Sequence, residues 1–159
     1  ILLTAKGPRK RWLRRLLLRA YQSALFNTWL VARIDHGWFE RVLVGDVAKK
    51  LDTGGLFEVE DVEADGRRFE SGEVTYTGPI YGSRMWWADG KPGQLEREVL
   101  EEARVTEDML ARERLNGSRR RARLVLDDLE VQKYPDGVLF NFTLPKGSYA
   151  TTVLREFMK

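Results

Sequence analysis

Residues 140–157 read FNFTLPKGSYATTVLREF, a stretch in which a strand pattern is followed by a helix pattern. The strand, predicted over residues 138–144, ends at the Pro-Lys-Gly of residues 145–147, and the helix begins with small and hydroxylated residues. Upstream, residues 123–131 alternate like a second strand, and the Pro-Asp-Gly of residues 135–137 predicts a turn between the two. The carboxy-terminal part is therefore predicted to be an antiparallel hairpin followed by a helix.

The rest of the chain also mixes helix and strand patterns. Apolar residues recur at steps of three and four over residues 9–34, which predicts a long amphipathic helix. Strands are predicted over residues 42–47, 56–62 and 68–76, a loop over 77–82, and helices over 94–103 and after Thr106. The predicted fold class is α+β, with a mixed or antiparallel sheet and flanking helices.

Composition excludes several kinds of site. The 159 residues contain no cysteine and one histidine, His36, so disulfides, thiolate catalysis, cysteine-based metal sites and multi-histidine sites are impossible within the chain. Any catalysis must rest on carboxylates, hydroxyls, lysine or arginine. No apolar run approaches the roughly 20 residues that cross a bilayer, and we predict a cytoplasmic protein without a membrane partner.

Positive charge is concentrated at the start of the chain. The net charge is only +3, yet every charged residue from Ile1 to Ile34 is a lysine or an arginine. A basic segment on a mixed body indicates a polyanionic partner, although such patches also contact acidic proteins or membranes. We predict RNA contacts at a group of basic residues near the start of the chain: Arg9, Lys10, Arg11, Arg14, Arg15 and Arg19. We also predict RNA contacts at a later pair, Arg119 and Arg120. The later pair fits the start of a surface strand equally well.

The strand–helix junction has the chemistry of a phosphate and base site. Gly147 allows close backbone approach, the free N–H groups at a helix start bind anions, Lys146 adds charge, and Tyr149 offers a flat face for a base. The alternative is an ordinary strand–turn–helix junction in which Tyr149 packs inside the protein.

Several stretches carry a family resemblance. Residues 144–156, LPKGSYATTVLRE, resemble the carboxy-terminal motif of the TruD family of tRNA pseudouridine synthases, with its glycine-serine-aromatic-alanine-threonine core and final arginine-glutamate. Four further stretches resemble TruD elements in the family's order: residues 20–27 (AYQSALFN), 44–46 (VGD), 77–82 (TGPIYG) and 117–120 (GSRR). The resemblance spans about residues 16–157, nearly the whole chain.

The resemblance implies an RNA-modifying isomerase. TruD-like enzymes convert a uridine of tRNA, at position thirteen, to pseudouridine by detaching the uracil, rotating it and reattaching it through carbon, without metal or cofactor. The target nucleotide must leave the base stack. The resemblance implies that Tyr149 stacks on the uracil, and the predicted substrate-binding residues are Tyr149, Lys146, Gly147, Ser148, Arg155 and Asn27. Arg155 could instead pair with an acid, and Asn27 could instead bond a turn.

The departure from the family concerns catalysis. The catalytic aspartate of TruD proteins stands in a glycine-x-lysine-aspartate motif, and neither this motif nor the family's asparagine-tyrosine-phenylalanine-glycine motif occurs in the chain. We therefore expect residues 1–135 to be a TruD-type RNA-binding insertion domain and residues 136–159 to be the end of a catalytic domain whose other part is a missing partner. We expect no catalysis by this chain alone. The alternatives are a stand-alone RNA-binding module and a small protein-interaction domain.

Overall fold

A computed structural model of the chain describes residues 10–145 and 147–158. The predicted contacts of Arg9 and Lys146 lie outside these residues. Helices and antiparallel strands together confirm the predicted α+β class with flanking helices. The chain divides into two compact units between Arg123 and Leu124.

The first unit begins with the long helix α1, Arg11–Asp35, which confirms the helix predicted from periodicity. Its buried side chains recur at steps of three and four, so they form one stripe along the helix: Leu18, Gln22, Leu25, Phe26, Trp29 and Arg33. The helix ends at Asp35, His36 is its C-cap residue, and the chain then turns at Gly37, where the φ of +68° favours glycine.

Four antiparallel strands form the sheet of this unit, in the order β2-β1-β3-β4. They are β1 at Val47–Lys50, β2 at Leu56–Glu58, β3 at Val74–Ile80 and β4 at Ser118–Arg121. The predicted strand over residues 42–47 is wrong for most of its length. The backbone N–H of Asp46 donates to the carbonyl of Leu43 at 3.0 Å, and this turn delays the strand.

The loop predicted over residues 77–82 is wrong through Ile80, because β3 continues to that residue. Gly78 serves packing here. A Cβ atom at this position would lie 2.1 Å from Cζ3 of Trp29, so the glycine lets α1 approach β3 closely. The Gly-Pro pair predicts a loop from local preference alone, whereas tertiary packing places it in β3, one of the two inner strands of the sheet.

Three shorter helices complete the first unit: α2 at Val62–Glu70, α3 at Gly90–Glu102 and α4 at Glu107–Arg112. The predicted strand over residues 68–76 is wrong for residues 68–70, because these residues belong to α2. The carboxylate of Asp61 accepts hydrogen bonds from the N–H groups of Glu63 and Ala64 at 2.9 and 3.0 Å, and this cap starts a helix. Thr106 caps α4 as predicted, by accepting from the N–H of Met109.

The second unit contains a hairpin and a helix. β5 at Glu130–Tyr134 pairs with β6 at Gly137–Asn141, and α5 follows at Ala150–Phe157. This confirms the predicted hairpin and final helix, although the first strand starts only at Glu130. The rings of Phe140 and Phe157 lie 4.9 Å apart and join hairpin to helix. The predicted domain boundary after residue 135 falls inside this hairpin; the functional assignment of the two parts stays a prediction.

Candidate nucleic-acid interface

A groove with a cavity volume of about 1180 Å³ lies in the first unit. Its lining comes mainly from α1 and from the segment between the end of α4 and β4. Glu113 is the one acid among the described residues that line it, beside seven arginines: Arg11, Arg14, Arg15, Arg19, Arg112, Arg114 and Arg120. A cleft lined by one sign of charge concentrates ligands of the opposite sign.

The arginines of α1 reach the groove because of their spacing. Arg11, Arg15 and Arg19 follow one another at steps of four, so they share one face of the helix, and all three are exposed. Lys10, the N-cap residue, is also exposed but does not line the groove. These predicted RNA contacts are therefore accessible to a ligand.

Arg14 differs from its neighbours because it has an internal partner. Its Nε donates to Oε2 of Glu113 at 2.9 Å, and its Nη2 donates to the other carboxylate oxygen. This ion pair connects α1 to the C-terminal end of α4. The hydrogen bond from Arg14 lowers the pKa of the Glu113 carboxyl, so the carboxylate stays ionised and offsets one positive charge of the groove.

Arg119 and Arg120 point in opposite directions because neighbours on a strand alternate. The Arg120 side chain is at the groove, with its guanidinium 5.1 Å from the ring of Phe26 and within 3.4 Å of Oγ of Ser23. The Arg119 side chain is only 2% exposed. We therefore revise the predicted RNA contact at Arg119, because its guanidinium cannot meet a phosphate without leaving the protein interior.

The Arg119 guanidinium is held by a carboxylate, a hydroxyl and two backbone carbonyls. It lies 2.7 Å from Oε1 of Glu96, and it donates to Oγ1 and the carbonyl of Thr77 at 3.0 and 2.6 Å and to the carbonyl of Trp86 at 3.1 Å. Burial raises the pKa of the Glu96 carboxyl, while Arg119 opposes that shift. The pair is thus a structural link between β4, β3 and α3.

The predicted junction site lies in the second unit and is open to solvent. Tyr149 is 73% exposed and is the N-cap residue of α5. Gly147 has a φ of +93°, and the N–H of Ser148 closes the turn on the carbonyl of Pro145 at 3.1 Å. Arg155 is exposed on α5. Within the second unit, therefore, Tyr149 does not pack inside, contrary to the alternative interpretation of the junction.

Asn27 is exposed on α1 of the first unit, and it is not among the residues that line the groove. Its predicted contact with substrate stays a prediction.

Comparison with known proteins identifies the family. The family model of tRNA pseudouridine synthase D (TruD) matches residues 8–157. The chain belongs to the TruD family. This confirms the resemblance, which rests on five short stretches in the family's order.

Curated TruD proteins are similar along nearly the whole chain. The tRNA pseudouridine synthase D of Anaeromyxobacter dehalogenans strain 2CP-C is 44% identical over 156 residues, which are 97% of the chain and 45% of that protein. A tRNA pseudouridine synthase D of Thermus thermophilus is 41% identical over 154 residues, 97% of the chain and 42% of that protein. The chain thus spans less than half the length of these TruD relatives.

A solved structure agrees with the fold. One crystal structure is that of a candidate tRNA pseudouridine synthase D (TruD) from Methanosarcina mazei. It matches this chain with a TM-score of 0.79 and 31% sequence identity. The match covers 92% of the chain and 38% of that protein.

Some TruD-like residues hold the fold together. Asp46, in the VGD stretch, is buried and accepts hydrogen bonds from both terminal nitrogens of Arg33 at 2.7 Å. Gly78, in the TGPIYG stretch, accommodates Trp29, and Arg119, in the GSRR stretch, pairs with Glu96. Three of the TruD-like stretches thus contribute residues that hold the core of the first unit, and the GSRR stretch also contributes Arg120 to the groove.

Other kinds of site find no support in residues 10–145 and 147–158. None of their helices is long and apolar enough to span a membrane. The same residues contain no group of three or more histidine, aspartate or glutamate side chains that could hold a metal ion.

Sequence reasoning missed part of the groove. Arg112 and Arg114 look like the ordinary basic end of a helix, and Trp12 looks like one more apolar residue of an amphipathic helix. All three line the groove together with the Arg14–Glu113 pair. No local signal joins residues 11–19 to residues 112–120, because only the packing of α1 near the end of α4 brings them together.

Proposed function

We propose that the chain is the RNA-gripping part of a TruD-type tRNA pseudouridine synthase, and that the arginine-lined groove holds the phosphate backbone of tRNA. The observation that carries this proposal is the concentration of seven arginines around one groove in a chain that matches TruD over residues 8–157. Neutralising phosphates with arginine releases counterions, so binding by this groove is expected to depend steeply on salt.

The start of α1 supports an anionic partner by a second argument. The first turn of α1 contains no acidic residue and follows Lys10, so positive side chains stand at the positive end of the helix dipole. Arg11 and Arg14 lie in the same turn. This arrangement costs helix stability, and a bound polyanion offsets that cost.

The reaction proposed for the whole enzyme is the isomerisation of a tRNA uridine, at position thirteen, to pseudouridine. The bond from ribose to N1 of uracil breaks, the uracil rotates, and a bond from ribose to C5 forms. The hydrogen on C5 leaves as a proton while N1 takes one up, so the reaction is an isomerisation that needs no redox partner. In TruD-like enzymes an aspartate carboxylate attacks or deprotonates the nucleotide. Its motif does not occur in this sequence, so we propose that a further part of the protein supplies it and that this chain alone does not turn over.

We propose that the junction before α5 contributes one wall of the uridine pocket. The exposed ring of Tyr149 is free to stack on an extruded base, and the turn at Gly147 and Ser148 brings backbone close to it. Arg155, Asn27 and Lys146 complete the proposed set of substrate contacts. A tRNA substrate also favours a cytoplasmic location.

The test uses a hybrid enzyme. The matching segment of the Anaeromyxobacter dehalogenans relative is replaced by this chain, and tritium release is measured from unmodified tRNA that carries 5-tritiated uridine. We expect release by the hybrid and none by the chain alone. Robust release by the chain alone would contradict the proposed division of labour.

The groove is tested in the same hybrid with the double variant Arg15→Gln/Arg19→Gln. We expect KM to rise while kcat stays near its original value, because phosphate contacts remote from the reacting base act in both ground and transition state. The control is Arg67→Gln, since Arg67 is exposed on α2 and outside the groove. If KM and kcat were equal for the double variant and the control, the groove would take no part in tRNA binding.

One alternative has its own support. The groove is lined by residues 11–120 of one compact unit, so the arginines that would hold RNA need no contribution from the second unit. This is what a stand-alone RNA-binding module requires. A hybrid that folds and binds tRNA but releases no tritium would favour this module.

A further inference from the structure

Trp12 stands apart from the other aromatic residues of the first unit. It lies in the first turn of α1, lines the arginine groove and is 65% exposed. It is the most exposed of the five tryptophans of the chain; Trp29, on the same helix, is 1% exposed. An exposed side chain of this size gains no free energy from burial in the chain itself. Because Trp12 also lines the groove, it is a candidate for direct contact with a ligand.

The surroundings of Trp12 define the chemistry of that ligand. Arg15 and Arg19 follow Trp12 at steps of three and seven, so they share its face of the helix and also line the groove. At a step of three, Trp12 and Arg15 are about 5–6 Å apart between Cβ atoms, a separation that one nucleotide can bridge, and Arg19 follows one further turn along the helix. A ligand that satisfies this face therefore combines an anionic group with a flat aromatic one.

A paired RNA helix does not offer that combination. Its bases are stacked on one another, so their faces are covered, and only unpaired nucleotides can lay a base against an aromatic side chain. The groove also has room for a nucleotide, since about 1180 Å³ exceeds the range of roughly 300–1,000 Å³ that is typical of pockets for small molecules.

We propose that Trp12 stacks on an unpaired base of the RNA whose phosphates are held by the groove arginines. This nucleotide is bound in the first unit by groove residues, and it is a contact additional to the uridine assigned to Tyr149. The inference rests on the proposed function, because it takes RNA as the ligand of the groove. It adds that the groove recognises a local departure from base pairing.

The experiment compares two labelled RNA hairpins whose stems are closed by a non-nucleotide linker, so that neither has unpaired loop bases, and which differ only by a two-nucleotide bulge in the stem. Fluorescence anisotropy gives the Kd of the 159-residue chain and of its variants for each hairpin at one fixed salt concentration. The variants are Trp12→Leu, which removes the ring, Trp12→Phe, which keeps a ring, and Arg15→Gln, which removes a charge. Circular dichroism melting establishes that each variant is folded; Trp12 is largely exposed, so little loss of stability is expected.

We expect Trp12→Leu to weaken binding of the bulged hairpin by about 5- to 150-fold, the equivalent of one lost stacking contact. Its affinity for the fully paired hairpin should not change, and Trp12→Phe should keep most of the affinity for the bulged one. Arg15→Gln should weaken the binding of both hairpins equally, because both contain phosphates.

The outcomes separate this inference from the function on which it rests. Suppose that Arg15→Gln weakens binding of both hairpins, while Trp12→Leu weakens binding of neither hairpin or of both equally. The stacking contact is then refuted, and the RNA groove is supported. If the unaltered chain binds neither hairpin at low salt, the RNA groove is refuted together with the stacking contact.

Discussion

The buried pair of Arg119 and Glu96 allows a quantitative prediction about stability. Their side chains are 2% and 1% exposed, with Nη1 of Arg119 2.7 Å from Oε1 of Glu96. Removing one partner of such a pair leaves a buried charge without compensation, which typically costs about 3–5 kcal/mol. The whole free energy of unfolding of a domain is only about 5–15 kcal/mol. Arg119→Met should therefore lower stability severely at pH 7.

The cost should depend on pH in a predictable direction. Burial raises the pKa of Glu96 above its ordinary value. A raised carboxyl pKa means that the folded state binds the proton more tightly, so the Glu96 contribution to stability is fully present below the ordinary value and is lost as pH rises through the folded pKa. Arg119 opposes the shift, so Arg119→Met raises the pKa further. The variant's deficit should shrink when the pH is lowered from 7 to 5.

The assay is urea unfolding, followed by circular dichroism at pH 5 and pH 7, on the original chain, Arg119→Met, Glu96→Gln and Arg119→Met/Glu96→Met. The double variant should be more stable than Arg119→Met, because it buries no unpaired charge. The matched control is the exposed pair of Arg67 and Glu63, where Arg67→Gln should cost less than about 1 kcal/mol. A deficit below about 1 kcal/mol for Arg119→Met, or the same deficit at both pH values, would refute the reasoning.

Two further predictions concern the groove and the core. Glu113→Gln should free Arg14 for a phosphate, so RNA binding should tighten at low salt and the slope of log K against log salt should steepen by about 0.7–0.9; an unchanged slope in anisotropy titrations would show that Arg14 takes no part. Gly78→Ala should destabilise the fold by about 1–3 kcal/mol, because the added Cβ meets the Trp29 ring. The control Gly66→Ala, on a helix with nothing within 4 Å, should stabilise it by about 0.5–1 kcal/mol, and equal melting temperatures for the two variants would contradict this packing argument.

Local patterns predicted the elements whose signals are repeated or specific. The periodicity of α1 extends along the whole helix, the turn at residues 135–137 joins β5 to β6, and Thr106 caps α4. The errors fall where a local preference competes with a longer-range contact or with a cap. Gly78 and Pro79 resemble a loop but lie in β3, and the Asp61 cap turns a predicted strand into α2.

The sequence by itself determined the fold class, the family and the positive charge of the first helix, because these depend on periodicity, on the order of short stretches and on composition. It could not separate Arg119 from Arg120, since both read as neighbouring arginines until β4 is paired. Only the tertiary structure decided that Arg119 pairs with Glu96 inside the protein, whereas Arg120 lines the groove with Trp12 and the α1 arginines. The physical reason is that burial and convergence are properties of packed surfaces, and the residues that meet there are about 100 positions apart in the chain.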